Sequence, residues 1–105
     1  MKFICETCGK EVTPEEGTLS WVDGGNSLHN FKITHKDHQN HSCDPKYVGY
    51  IHLWIVTGLT GFIKFTETLA DYWEKGYTLK DPLGLKKVLN EIGLYIWEQS
   101  KKASS

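Results

Sequence analysis

Two cysteines at positions 5 and 8, and a histidine-rich stretch that ends in a third cysteine at 43, constrain this chain more than any other feature. In "ICETCGK" the pair is separated by two residues and followed by Gly9, which can take the positive φ that turns a Cys-x-x-Cys into a knuckle with both sulfurs facing one point. A thioredoxin-like redox pair would instead open a helix, and "GKEVTPEEG" does not read as one. Zinc prefers four soft or borderline donors in a tetrahedron. Cys5 and Cys8 supply two, and Cys43, the last thiol in the chain, is the natural third.

The fourth donor is sought in "THKDHQNHSC". His35 ends a predicted strand on its inward face and ranks first, His41 second for its closeness to Cys43, and His38 third as a solvated loop residue. His29 sits mid-strand, and His52 lies in an apolar run, where a partly buried ring with a satisfied hydrogen bond is expected. The expected set is therefore Cys5, Cys8, His35 and Cys43 around Zn²⁺, with His38 and His41 as alternatives to His35. Four protein ligands make a closed, structural site with no position for a water.

The scaffold follows from local pattern. A chain of 105 residues with 39% hydrophobic residues suits a single domain, 1–105, that buries less than ~70% of its unfolded surface, so a metal staple would help it. Residues 1–45 read as a zinc-binding β part and 46–105 as a mainly helical part. "KFI" and "KEV" flank the knuckle as the arms of a tight hairpin, and "TLSWV" and "LHNFKIT" flank a turn at "DGGNS". Simple alternation puts Phe31, Ile33 and His35 on one face of the second strand and Leu28, Asn30, Lys32 and Thr34 on the other. "YIHLWIV" reads as a buried strand, with a helix capped at Asp44-Pro45 as the alternative. Phe62, Phe65, Leu69, Tyr72 and Trp73 recur at helical spacing, with Thr57 or Thr60 as N-cap and Gly76 past the end. Asp81-Pro82 opens a second helix whose apolar stripe is Leu85, Val88, Leu89, Ile92, Tyr95 and Ile96. The fold class is thus α+β, a small N-terminal antiparallel sheet with a zinc knuckle followed by two C-terminal helices. Trp21, Trp54, Trp73 and Trp97 all fall in predicted elements and are expected in the core.

Charge narrows the partners. The formal net charge is −1 and no residue is Arg, the side chain best suited to bidentate contacts with phosphate and guanine. That disfavours nucleic acid. No basic-then-apolar leader stands at the N-terminus and no apolar run is long enough to span a bilayer, so a soluble, cytoplasmic protein with no membrane partner is expected. An odd, small number of cysteines agrees with a reducing compartment.

"CETCGK" resembles the knuckle that opens zinc-ribbon and treble-clef domains, and the resemblance covers about the first 45 residues. Those families usually close the site with a second Cys-x-x-Cys or a His/Cys pair, and here Cys43 stands alone. The order knuckle, "LSW", "FKITHK", Cys is also similar to small bacterial zinc-binding proteins of unknown function, which supports the same four ligands and implies no activity. Zinc nucleobase deaminases need a His-x-Glu that is absent. HNH-type nucleases lack support beyond His29, Asn30 and His35. With no paired carboxylates or nucleophile-base arrangement in view, an enzyme is the less favoured reading. The expected function is a zinc-stapled binding or adaptor protein that contacts another protein. A nucleic-acid-binding zinc module is the alternative, followed by a zinc-dependent hydrolase.

Overall fold

The computed structural model describes residues 2–36 and 49–103. The chain is α+β. Strand β1 (Phe3–Ile4) pairs with β2 (Glu11–Val12) as the two arms around the knuckle, Phe3 opposite Val12 and Ile4 opposite Glu11. After a single 3-10 turn at Pro14–Glu16, β3 (Gly17–Asp23) and β4 (Ser27–His35) form the expected antiparallel hairpin. Its turn is closed by Gly24 N–H on the Ser27 carbonyl at 2.8 Å and Gly25 N–H on the Asp23 carboxylate at 2.9 Å, with Gly25 at φ +91°. The remaining elements are β5 (Gly49–His52), α1 (Leu53–Val56), α2 (Leu59–Glu74), β6 (Thr78–Leu79) and α3 (Pro82–Ala103). Strands β5 and β6 complete a four-stranded sheet in the order β5-β3-β4-β6, so the second half of the chain contributes both of its outer strands.

Two expectations about the strands are corrected. The run Tyr50 to Val56 is a strand only as far as His52, and Leu53–Val56 forms one helical turn whose Leu53 and Val56 are fully buried. Helical geometry lets Leu53 and Val56, three apart, point to the same core, which an extended chain cannot do. The second correction concerns alternation along β4. Ser20 pairs with Lys32 but Val22 pairs with His29, so Asn30 and Phe31 together stand opposite Trp21. This is a β-bulge, with Asn30 at φ +57°, a conformation Asn tolerates better than most residues. The extra residue shifts the face of everything before it. Leu28 therefore joins Phe31 and Ile33 in the core instead of facing away from them.

The Phe31 N–H, like that of Ile33, points away from β3, and the Asp81 carboxylate accepts it at 3.3 Å. The other oxygen of Asp81 accepts the Gly84 N–H at 3.0 Å, the expected N-cap of α3. At Gly84 a Cβ would lie 2.1 Å from that carboxylate, so glycine is needed for the cap to close. Helix α2 begins one residue after Gly58, which replaces Thr57 and Thr60 as N-cap, and ends before Gly76 at φ +90°. Thr57 instead closes α1, its hydroxyl donating to the Leu53 carbonyl at 2.8 Å.

The core joins Phe3, Val12, Leu19, Trp21, Leu28, Phe31 and Ile33 from the strands to Phe65 and Leu69 of α2 and Leu85, Val88 and Ile92 of α3. Trp21 stacks on Phe31 at 6.0 Å and meets Phe65 at 5.7 Å. The other three tryptophans are not core. Trp54 and Trp97 are 56% exposed and Trp73 is 52% exposed, because the helix faces that carry them turn away from the sheet. Among the described residues, no helix is long and apolar enough to cross a membrane.

Candidate metal centre

The knuckle is built by backbone hydrogen bonds. Cys5 N–H donates to the Lys10 carbonyl at 2.8 Å, and Gly9 N–H to the Cys5 carbonyl at 2.9 Å, which wraps residues 5–9 into one tight turn. Gly9 takes φ +76°, as its position after the second cysteine predicts. The turn is anchored to β4 as well. Glu6 N–H donates to the Ile33 carbonyl at 3.0 Å, and the Ile33 N–H returns a bond to the Glu6 carboxylate at 3.0 Å. His35, two residues further along β4, is thereby held beside the sulfurs.

Cys5, Cys8 and His35 form a group that could hold a metal ion, with donor atoms all within 4.8 Å of one another. Cys8 Sγ lies 3.5 Å from His35 Nδ1. A tetrahedral zinc with Zn–S of ~2.3 Å and Zn–N of ~2.0–2.1 Å sets S···N near ~3.5 Å, which the Cys8–His35 pair meets. The other ring nitrogen, Nε2, lies 3.1 Å from the Glu11 carbonyl. A carbonyl only accepts, so Nε2 donates to it and Nδ1 is the nitrogen that faces the Cys8 sulfur. Metal-ligating histidines are oriented in this way, by an outer partner on the second nitrogen.

Cys5 is completely buried, and Cys8 and His35 are partly buried. Burial pushes the Cys5 thiol up, but hydrogen bonds from the backbone N–H groups of Cys8, His35 and Thr7, joined by the His35 side chain, outweigh it. The net effect lowers its pKa from 9.0 to about 6. The His35 N–H to Cys5 Sγ bond is 3.4 Å long. A pocket that stabilises a buried thiolate with several N–H groups suits a cation, which supplies the missing positive charge.

The structure thus brings together three of the four residues expected at the site. Cys43, His38 and His41 lie outside the described residues. Of the other histidines, His29 and His52 are not part of the donor group. His52 is partly buried as expected, but its Nδ1 is buried with no hydrogen-bond partner among the described residues. Glu6 and the Glu11 carbonyl were not legible as parts of the site. Glu6 sits between the cysteines, where a side chain usually points to solvent, and a backbone acceptor leaves no mark in the residue type.

No protein-family model, curated protein or solved structure matches the chain, so its likeness to zinc-ribbon and treble-clef domains rests on the knuckle residues alone.

Proposed function

We propose that the protein is a small adaptor whose fold is stapled by a structural zinc ion and which binds another protein. The observation that carries the zinc reading is His35, fixed by the Glu11 carbonyl so that Nδ1 lies 3.5 Å from Cys8 Sγ, with Cys5 Sγ in the same donor group. Two thiolates and an imidazole are a soft and borderline donor set that favours zinc over magnesium or calcium. Cys43 completes a closed site in this reading, which leaves the ion a structural role.

The metal's position supports that role. β1 and β2 are each two residues long and expose Ile4 and Glu11, so of their four residues Phe3 and Val12 alone anchor the hairpin in the core. An apparent structural-zinc affinity on the order of 10 kcal/mol far exceeds what such a hairpin supplies.

The binding part of the proposal rests on aromatic and aliphatic side chains left outside the core. Leu59, Gly93, Ile96 and Trp97 line a groove of about 570 Å³ between the start of α2 and the second half of α3. Isolated exposed apolar residues are ordinary, but tryptophan is enriched where proteins meet. Single-stranded nucleic acid is the second reading, favoured by the exposure of Trp54, Trp73 and Trp97 and by Lys101 seated 4.3 Å over the Trp97 ring. The net charge of −1 and the absence of Arg weigh against it.

Elemental analysis of purified protein tests the first part, with one zinc per chain expected and a zinc-free, fully folded protein contradicting it. An oligonucleotide titration at low and raised salt separates the two partners, because phosphate-driven binding must weaken steeply as salt rises.

A further inference from the structure

We propose that Cys5 and Cys8 form a reversible disulfide on exposure to a peroxide, and that this bond empties the metal site; the second half rests on the zinc reading above.

The two sulfurs belong to the first and fourth residues of one turn, closed by the Gly9 N–H on the Cys5 carbonyl at 2.9 Å, and lie within 4.8 Å of each other. An S–S bond is ~2.05 Å long, so sulfurs already within 4.8 Å need to approach by less than ~3 Å to join. Their burial differs in a way that assigns the order of events. Cys8 is partly exposed and meets the oxidant, whereas Cys5 is completely buried.

The chemistry balances with hydrogen peroxide as the oxidant. The Cys8 thiolate attacks one peroxide oxygen, the O–O bond breaks, and the departing hydroxide takes a proton to become water, leaving Cys8 as a sulfenic acid. The Cys5 thiolate then attacks the Cys8 sulfur, the S–O bond breaks, and a second hydroxide leaves and is protonated. Two thiolates lose two electrons in total, one peroxide is reduced to two waters, and two protons come from solvent. Two of the metal's sulfur donors are consumed. His35 keeps its bond to the Glu11 carbonyl but is the last described donor of the group, and the ion departs into water.

Reversal is built into the same turn. The bonds that shape it, Cys5 N–H to Lys10 and Gly9 N–H to Cys5, and those that tie Glu6 to Ile33, use no sulfur atom. Oxidation leaves them in place, so reduction restores a preformed pair of thiols.

The test exposes zinc-loaded protein to excess hydrogen peroxide, follows released metal with a chromogenic chelator, and maps the products by intact-mass and peptide mass spectrometry. The expected result is one zinc released per two thiols lost, a mass lower by two hydrogens, and a disulfide mapped to Cys5 and Cys8. A phosphine reductant should restore both thiols and full zinc binding. Sulfinic or sulfonic acid on Cys8 with Cys5 unmodified, or a disulfide that uses Cys43, overturns the proposal. If the protein as purified holds no zinc yet forms the Cys5–Cys8 bond, the disulfide stands and the zinc reading fails. If zinc is bound but that bond never forms, the zinc reading stands and the switch fails.

Discussion

Glu6 and Ile33 are joined by two hydrogen bonds of 3.0 Å, one from the Glu6 N–H to the Ile33 carbonyl and one from the Ile33 N–H to the Glu6 carboxylate. One residue between the cysteines thus acts as a short stretch of partner strand for the edge of β4. It fixes the distance from the knuckle to His35, and Lys87 of α3 adds a contact at 3.4 Å to the second carboxylate oxygen. Glu6→Ala should lower stability by about 1–3 kcal/mol, the range for leaving a buried N–H without its acceptor, and weaken metal binding with it. Glu6→Gln retains an acceptor and should lose less on both counts. Urea unfolding and a competitive zinc titration check the pair; equal losses in the two variants would contradict the account.

His35 carries the geometry of the centre. Removal of an outer-shell partner typically costs about 10–100-fold in metal affinity, and loss of a donor itself should cost more. His35→Ala should therefore weaken zinc binding by at least that range, whereas His29→Ala, on the same strand, should leave it unchanged. A zinc titration against a chromogenic competitor reads both, and circular dichroism reports whether each variant still folds.

In the metal-free protein, Cys5 makes stability depend on pH. Its pKa is lowered in the folded state, from 9.0 to about 6, so the thiolate is favoured by folding. The stabilisation is fully present above the unfolded value and is lost as pH falls through the folded one. Acidification from about pH 9 to about pH 6 should lower the melting temperature progressively, with Cys5's contribution gone below that window. Cys5→Ala should flatten the slope over the same interval. A wild-type slope that survives the substitution would assign the pH dependence to other groups.

Asp81 links the cap of α3 to the bulge of β4, accepting Gly84 N–H at 3.0 Å and Phe31 N–H at 3.3 Å. Asp81→Ala removes a cap worth ~0.5–2 kcal/mol and also leaves the Phe31 N–H unpaired, so its cost should reach or exceed the upper end of that range. Gly84→Ala should be destabilising too, since its Cβ would meet the same carboxylate at 2.1 Å. The two changes should be less than additive in denaturant melts, because each breaks the same interaction.

The parts of the fold that are visible in sequence are those decided by near neighbours. Helices α2 and α3 show themselves through apolar spacing and through Asp81-Pro82 and Gly76, and the β3-β4 hairpin through its Gly-rich turn. The knuckle and the inward face of His35 are legible for the same reason. What failed depended on partners far along the chain. Leu53 and Val56 form a helical turn because of the core above them, not because of their β-branched neighbours. Asn30 opens a bulge in β4, and the neighbouring Phe31 N–H is taken by Asp81, a residue 50 positions away. Trp73 and Trp97 lie on well-predicted helices and Trp54 on a helical turn expected as strand, yet whether a helix face meets the sheet is settled by packing and not by residue type. At the site, the acceptor that orients His35 is a backbone carbonyl, which every residue possesses.

The central claim is that Cys5, Cys8 and His35 hold the same zinc ion. X-ray absorption at the zinc edge of the purified protein tests it most directly. The account predicts a four-coordinate shell of three sulfurs at ~2.3 Å and one imidazole nitrogen at ~2.0–2.1 Å, the signature of Cys5, Cys8, Cys43 and His35. Two sulfurs with two imidazoles would keep the central claim and put a histidine in the place of Cys43. A shell of oxygens without sulfur, or no zinc at the edge, would contradict it.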